Sequence, residues 1–126
     1  MNSGVEWRRP RLWHGCGIAL LVVVAVISLV PVSGGAGHDK LAHVLSYLVL
    51  SSWFSLIAAR PALLWRVFIA LIAYGMLMEF LQGLTDYRSF EFADAVANSV
   101  GVAIGLLFHF SPLRALLILI DSRLNR

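Results

Sequence analysis

The sequence predicts an all-α, polytopic membrane protein: a compact bundle of four transmembrane helices followed by a short amphipathic C-terminal helix. Three observations predict it. Only 13% of the 126 residues are charged and 60% are hydrophobic, whereas a soluble domain carries roughly 25% charged residues. The apolar residues fall into four runs of about 20 residues, the length that crosses roughly 30 Å of hydrocarbon. The basic residues stand at the ends of those runs, where membrane anchors belong.

The first helix is predicted over 13–33, with an apolar centre at 15–32 preceded by Arg8, Arg9 and Arg11. A basic start, an apolar centre and the small residues at 33–37 also fit a signal peptide. The run is longer than a signal's apolar centre and little soluble chain follows it, so a retained span is expected. The second helix is predicted over 40–59, with Asp39 as N-cap and Arg60-Pro61 as its end. The third is predicted over 62–84, with Pro61 at its first position and Trp65 and Arg66 at the interface. The fourth is predicted over 90–110, with Ser89 as N-cap and Ser111-Pro112 as its end. Beyond it Leu113, Leu116, Leu117, Ile120 and Leu124 share one helix face, with Arg114, Asp121, Arg123 and Arg126 among them. The tail at 112–124 therefore reads as an amphipathic helix lying on the membrane surface. The tight turn at Arg60-Pro61 makes helices two and three an antiparallel hairpin. Neither repeats nor low-complexity stretches divide the chain, which reads as a single membrane domain over 1–126.

Charge sets the expected orientation. With the N-terminus in the cytoplasm, Arg8, Arg9, Arg11, Arg60, Arg66, Arg114, Arg123 and Arg126 lie inside, and only Lys40 and Arg88 lie outside. That split of 8 against 2 satisfies the positive-inside rule and places both termini in the cytoplasm. The net charge of +3 does not indicate nucleic acid, because the bases form no aromatic-interleaved patch. The single cysteine, Cys16, excludes an intrachain disulfide and a CxxC site and reads as a buried structural thiol. Trp7, Trp13, Trp53 and Trp65 read as belt or packing residues, and His14, His38 and His109 as interfacial.

The remaining polar residues gather at the outer ends of helices two, three and four. Asp39, His43, Ser46 and Tyr47 share a face of helix two, and Asp94, Asn98, Gly101 and Gly105 share a face of helix four. At about 1.5 Å per residue, His43, Glu79 and Asp94 each lie roughly 6 to 8 Å inside their helix ends, with Asn98 about one turn deeper. Buried carboxylates in a bilayer face a bundle interior or a wet cavity, so one pocket is expected there. Ala93, Ala97, Gly101 and Gly105 repeat every four residues, a small-residue stripe that admits a neighbouring helix from this chain or from a second copy.

"HDKLAHVLSYLVL" and "YGMLMEFLQGLTDYRSFEFADAVANSVGVAIG" resemble the VanZ-like family of bacterial membrane proteins over about 38–108. The family pattern falls on Asp39, Lys40, His43 and Tyr47, then Glu79, Gln82, Arg88 and Ser89, then Asp94, Asn98, Gly101 and Gly105. The resemblance implies a multi-pass protein of the bacterial cell envelope, in the cytoplasmic membrane. The family takes its name from a member associated with low-level resistance to the glycopeptide teicoplanin, and most members have no established activity.

Four functions are compatible with the pattern. The first is a binding module in which Asp39, Lys40, His43, Tyr47, Glu79, Gln82, Arg88, Asp94 and Asn98 hold a polar or anionic group of a membrane lipid, an envelope precursor or a glycopeptide. The second is a membrane-embedded enzyme using His43, Glu79 and Asp94 as acid and base or as metal ligands. HExxH, GxSxG and established metal spacings are absent, so no metal site is assigned and no cofactor is expected. The third is a transporter, disfavoured because polar residues are scarce in the inner half. The fourth is a scaffold that forms homo-oligomers through the small-residue stripe. A plain structural role (capping, pairing or packing) competes at every one of these positions.

Overall fold

The computed structural model describes residues 4–31 and 36–124, with the side chains of 36–38 outside that description. Among the described residues five α-helices follow in order: α1 (Pro10–Leu29), α2 (Ala36–Ile57), α3 (Leu64–Gly83), α4 (Phe92–Leu106) and α5 (Pro112–Arg123). Short 3-10 turns precede α3 at Pro61–Leu63 and follow α4 at Leu107–Phe110. No strand occurs among the described residues. Among the described residues four stretches are long and apolar enough to cross a membrane: Pro10–Leu29, Asp39–Ile57, Pro61–Gly83 and Phe92–Phe110. The small residues at 33–35, Arg126 and the side chain of His38 lie outside the described residues.

α2 and α4 form the centre, and α1 and α3 pack around that pair. The reason lies in two glycines. A Cβ on Gly101 would come within 2.4 Å of the Val44 carbonyl oxygen, and one on Gly105 within 2.5 Å of Ser51 Cβ. Only glycine allows this approach. The partner of the small-residue stripe is thus α2 of the same chain. Ala97, Gly101 and Gly105 are buried in it, but Ala93 is exposed, contrary to expectation. A four-residue repeat drifts about 40° per step on a 3.6-residue helix, so the fourth member leaves the face. Asp94 leads the stripe instead.

The core above and below this contact is apolar. Val24, Tyr47, Leu50, Leu71 and Val102 cluster at mid-height, packed by Phe54, Phe68 and Tyr74. Trp13, Leu56, Ile57 and Leu117 cluster near the termini, with Trp7, Trp53 and Phe108 around them. Ile18, Val22, Val26, Ile69, Leu77, Phe80, Val96 and Ile104 face outward, as side chains do where hydrocarbon is the solvent.

Several local expectations are corrected. α4 begins at Phe92 with Glu91, not Ser89, at its N-cap. The amides of Asp94 and Ala95 both bond the Glu91 carbonyl, at 3.1 and 3.5 Å, and so set the start. Asp39 lies inside the first turn of α2 rather than capping it, a position where its charge favours the helix dipole. Pro61 opens the 3-10 turn rather than α3 itself. His109 is buried and bonds the Ser55 carbonyl through Nδ1 at 2.7 Å. Cys16 is half-buried.

The C-terminal helix is also more than a surface float. α5 buries Leu117 and Asp121 against the bundle, while Leu113, Leu116 and Ile120 remain outward. Asp121 accepts the amides of Arg8 (2.7 Å) and Arg9 (3.1 Å) and the indole N–H of Trp13 (2.7 Å). It satisfies N–H groups at the start of α1 that have no partner within that helix. Arg114 donates to the carbonyls of Ala58 and Ala59 at 2.9 and 3.2 Å, placing a cation at the C-terminus of α2, where the dipole favours it. Both chain termini therefore lie at one end of the bundle.

Candidate functional site

The polar site lies at the opposite end, where the α1 C-terminus meets the N-termini of α2 and α4 and the last turn of α3. It has two layers. The inner layer is His43, Glu79 and Asn98, with residue exposures of 8%, 0% and 3%. These numbers place full side-chain polarity inside the apolar bundle, where it survives only if paired. His43 Nδ1 donates to Asn98 Oδ1 at 2.8 Å, and Asn98 Nδ2 donates to Glu79 Oε1 at 3.3 Å. The same Glu79 oxygen lies 3.4 Å from His43 Nδ1. Glu79 Oε2 has no hydrogen-bond partner.

The outer layer is a set of crossed ion pairs. Lys40 bonds Glu91 at 2.6 Å and also bonds Asp94. Arg88 Nη2 bonds Asp39 Oδ1 at 2.9 Å. Its Nη1 donates to the Ser28 carbonyl at 2.9 Å, and Gln82 Nε2 donates to the same oxygen at 2.7 Å. Tyr87 donates to the Leu29 carbonyl. The last carbonyls of α1, which have no partner within the helix, are thereby capped by residues of the α3–α4 region. The Lys40 ammonium holds the Glu91 carboxyl below its usual range.

A cavity of about 170 Å³ lies between these groups, lined by Asp39, Gln82, Tyr87, Arg88, Ser89, Glu91 and Asp94. Of the nine expected ligand-contacting residues, Asp39, Gln82, Arg88 and Asp94 line the cavity. Lys40 pairs with two of its carboxylates, and His43, Glu79 and Asn98 lie beneath. Tyr47 departs from the set. It sits one to two turns deeper, 1% exposed, in the apolar cluster beside Tyr74. Glu91 and Tyr87 are site residues that the pattern of helix faces did not single out. Glu91 was visible only as a carboxylate at the start of helix four, and Tyr87 as an aromatic in a loop.

The charges in the site do not balance by themselves. Four carboxyl groups, Asp39, Glu79, Glu91 and Asp94, face Lys40 and Arg88; Tyr87 lines the cavity, and beneath it stands His43. Its Nε2 lies 3.7 Å from Asp39 Oδ2 and 3.6 Å from Asp94 Oδ2. Glu79, expected as a possible metal ligand, stands on the other side of the ring, at Nδ1. The carboxylate that joins His43 and Asp94 at Nε2 is that of Asp39.

Fold and site together define a small multi-pass α-helical membrane protein with a polar chamber at one end of its apolar spans. The chain belongs to the VanZ/LLP1 family, whose sequence profile matches residues 13–116. An uncharacterised protein of fission yeast, Schizosaccharomyces pombe, is 27% identical over 95 residues, 73% of this chain. The chain spans 59% of that relative's length. No solved structure matches the chain. The fungal relative means that family membership alone does not place the chain in a bacterium.

Proposed function

We propose that the protein recognises a polar or anionic headgroup at the membrane interface, taking it into the chamber between Arg88 and Glu91. The observation that carries this reading is the cavity itself. Its lining is polar or charged throughout, and it opens at the end of four apolar spans, the level at which lipid headgroups lie. A volume of about 170 Å³ suits a phosphate with a small polar substituent rather than a whole lipid. Arg88 supplies a planar donor whose geometry matches phosphate and carboxylate oxygens. A lipid headgroup, an envelope precursor and a glycopeptide all offer such groups. The 8 to 2 distribution of bases supports a chamber on the outer face of a bacterial cytoplasmic membrane, with both termini inside.

Titration of dihexanoyl phosphatidylglycerol into the protein in phosphatidylcholine nanodiscs tests the reading. Arg88→Ala is expected to weaken binding at least tenfold, and Arg88→Lys to recover part of it. Equal affinities for wild type and Arg88→Ala would overturn it. A second reading, chemistry within the membrane, is favoured by one observation: a fully buried carboxylate, Glu79, with an unpartnered oxygen and a histidine at 3.4 Å.

A further inference from the structure

We infer that Asp39, His43 and Asp94 form a binding site for a divalent first-row cation at the floor of the chamber. The three ligand atoms, one from each side chain, lie within 4.8 Å of one another. The inference rests on how each atom is left after its neighbours are satisfied. Asn98 Oδ1 can only accept, so the bond at 2.8 Å fixes the proton of the His43 ring on Nδ1. In the neutral ring Nε2 then carries the lone pair, on the side of the two carboxylates. Asp39 commits Oδ1 to Arg88, and Asp94 commits Oδ1 to Lys40. Each turns Oδ2 toward the same nitrogen.

Three electron-rich atoms thus converge with no hydrogen bond between them. Separations of 3.6 and 3.7 Å are too long for an N–H···O bond. They are close to the separation of about 3.4 Å that two ligands adopt when each stands about 2.1 Å from a tetrahedral cation. His43 is more than nine-tenths buried, as is the Asp94 side chain, so the convergence is not a chance meeting of solvated groups. The surroundings are those of a metal-binding histidine. Its second nitrogen is held by Asn98, and Asn98 is held in turn by Glu79, an outer set that fixes ring orientation and tautomer. Lys40 and Arg88 orient the two carboxylates in the same way.

One imidazole and two carboxylates suit a manganese- or zinc-class ion rather than a soft one. Three protein ligands leave at least one coordination position, and the chamber lies on that side. An anionic oxygen entering past Arg88 would complete the coordination. The inference deepens the proposed headgroup recognition by supplying positive charge that the acidic chamber lacks, although metal binding itself does not depend on that reading.

The test uses manganese(II) chloride alone, added to chelator-stripped protein in phosphatidylcholine nanodiscs and followed by electron paramagnetic resonance. The expected result is one ion per chain, with electron spin echo modulation from a single imidazole nitrogen. Asp39→Asn and Asp94→Asn should each weaken binding at least tenfold, whereas Glu6→Gln, an exposed carboxylate in the N-terminal segment at the opposite end of the bundle, should change it less than threefold. Folding is monitored independently by tryptophan fluorescence, and the wild-type protein alone can decide the matter. No nitrogen modulation, or a histidine ¹⁵N spectrum showing His43 doubly protonated with excess manganese present, would overturn the site. Phosphatidylglycerol binding is then measured with and without the metal. Its failure with metal bound counts against the headgroup reading and leaves the metal site standing.

Discussion

Asn98 shows how much a single side chain decides here. Its carbonyl accepts from His43 and its amide donates to Glu79, so one residue serves a ring N–H and a carboxylate that are both buried. Asn98→Ala strands the two at once. Unpaired buried polar groups cost about 1–3 kcal/mol each, so the variant should lose about that much stability or more in a detergent thermal melt; an unshifted melting temperature would show that Asn98 is not their mainstay. The convergence of His43, Glu79, Asp94 and Asn98 was legible in the sequence because it follows from helical spacing and depth alone. What was not legible involves main-chain atoms. The anchors for Gln82, Arg88 and Tyr87 are the carbonyls of Ser28 and Leu29, which no side-chain pattern reveals. Tyr47 shares the helix face but lies one turn below His43, where its ring joins the apolar cluster beside Tyr74.

Among the elements, α4 carries the strictest packing. Gly101→Ala puts a methyl group against the Val44 carbonyl, a backbone atom that cannot swing away. Such overpacking costs about 1–3 kcal/mol, and because α2 and α4 carry the site, the same change should disturb the chamber. Equilibrium unfolding in mixed micelles measures the loss, and a Gly15→Ala control, inside α1 with nothing within 4 Å of the added Cβ, should lose no stability. The four spans were readable from apolar run length, and their order in the chain from turn residues. Helix starts were not, because they depend on which carbonyl the first free amides find. That is why α4 begins at Phe92 after Glu91; the exclusion of Ala93 from the stripe has the separate cause of the drift of a four-residue repeat. The apolar face of the tail, Leu117 included, was evident; that Asp121 beside it turns to the bundle emerges only when the N-terminal segment lies against it.

The whole molecule is tied together at the end that carries the termini. Burial of the Asp121 carboxyl works against its ionisation, yet the Arg8 amide, the Trp13 indole and the Arg9 amide outweigh this and hold it below its ordinary range. A carboxyl depressed in the folded state adds stability above its unfolded pKa of about 3.9, and that contribution disappears as pH falls through the folded value. Acidification below about pH 4 should therefore loosen the tail from α1, seen as a change in Trp13 fluorescence, while Asp121→Ala should show the loosened signal already at neutral pH. A wild-type signal flat from pH 6 to the acid limit would contradict this. The bond from Arg8 to Asp121 joins residues 113 apart in sequence, and α1 is fastened at its other end by Gln82, Tyr87 and Arg88. α1 precedes in the chain every group that secures its two ends: Gln82, Tyr87 and Arg88 come after α3 begins, and Asp121 only with α5. The bundle cannot be locked span by span as it is inserted. Its closure comes in two stages, the Ser28–Leu29 end when the segment after α3 is made and the Arg8–Arg9 end only when α5 follows.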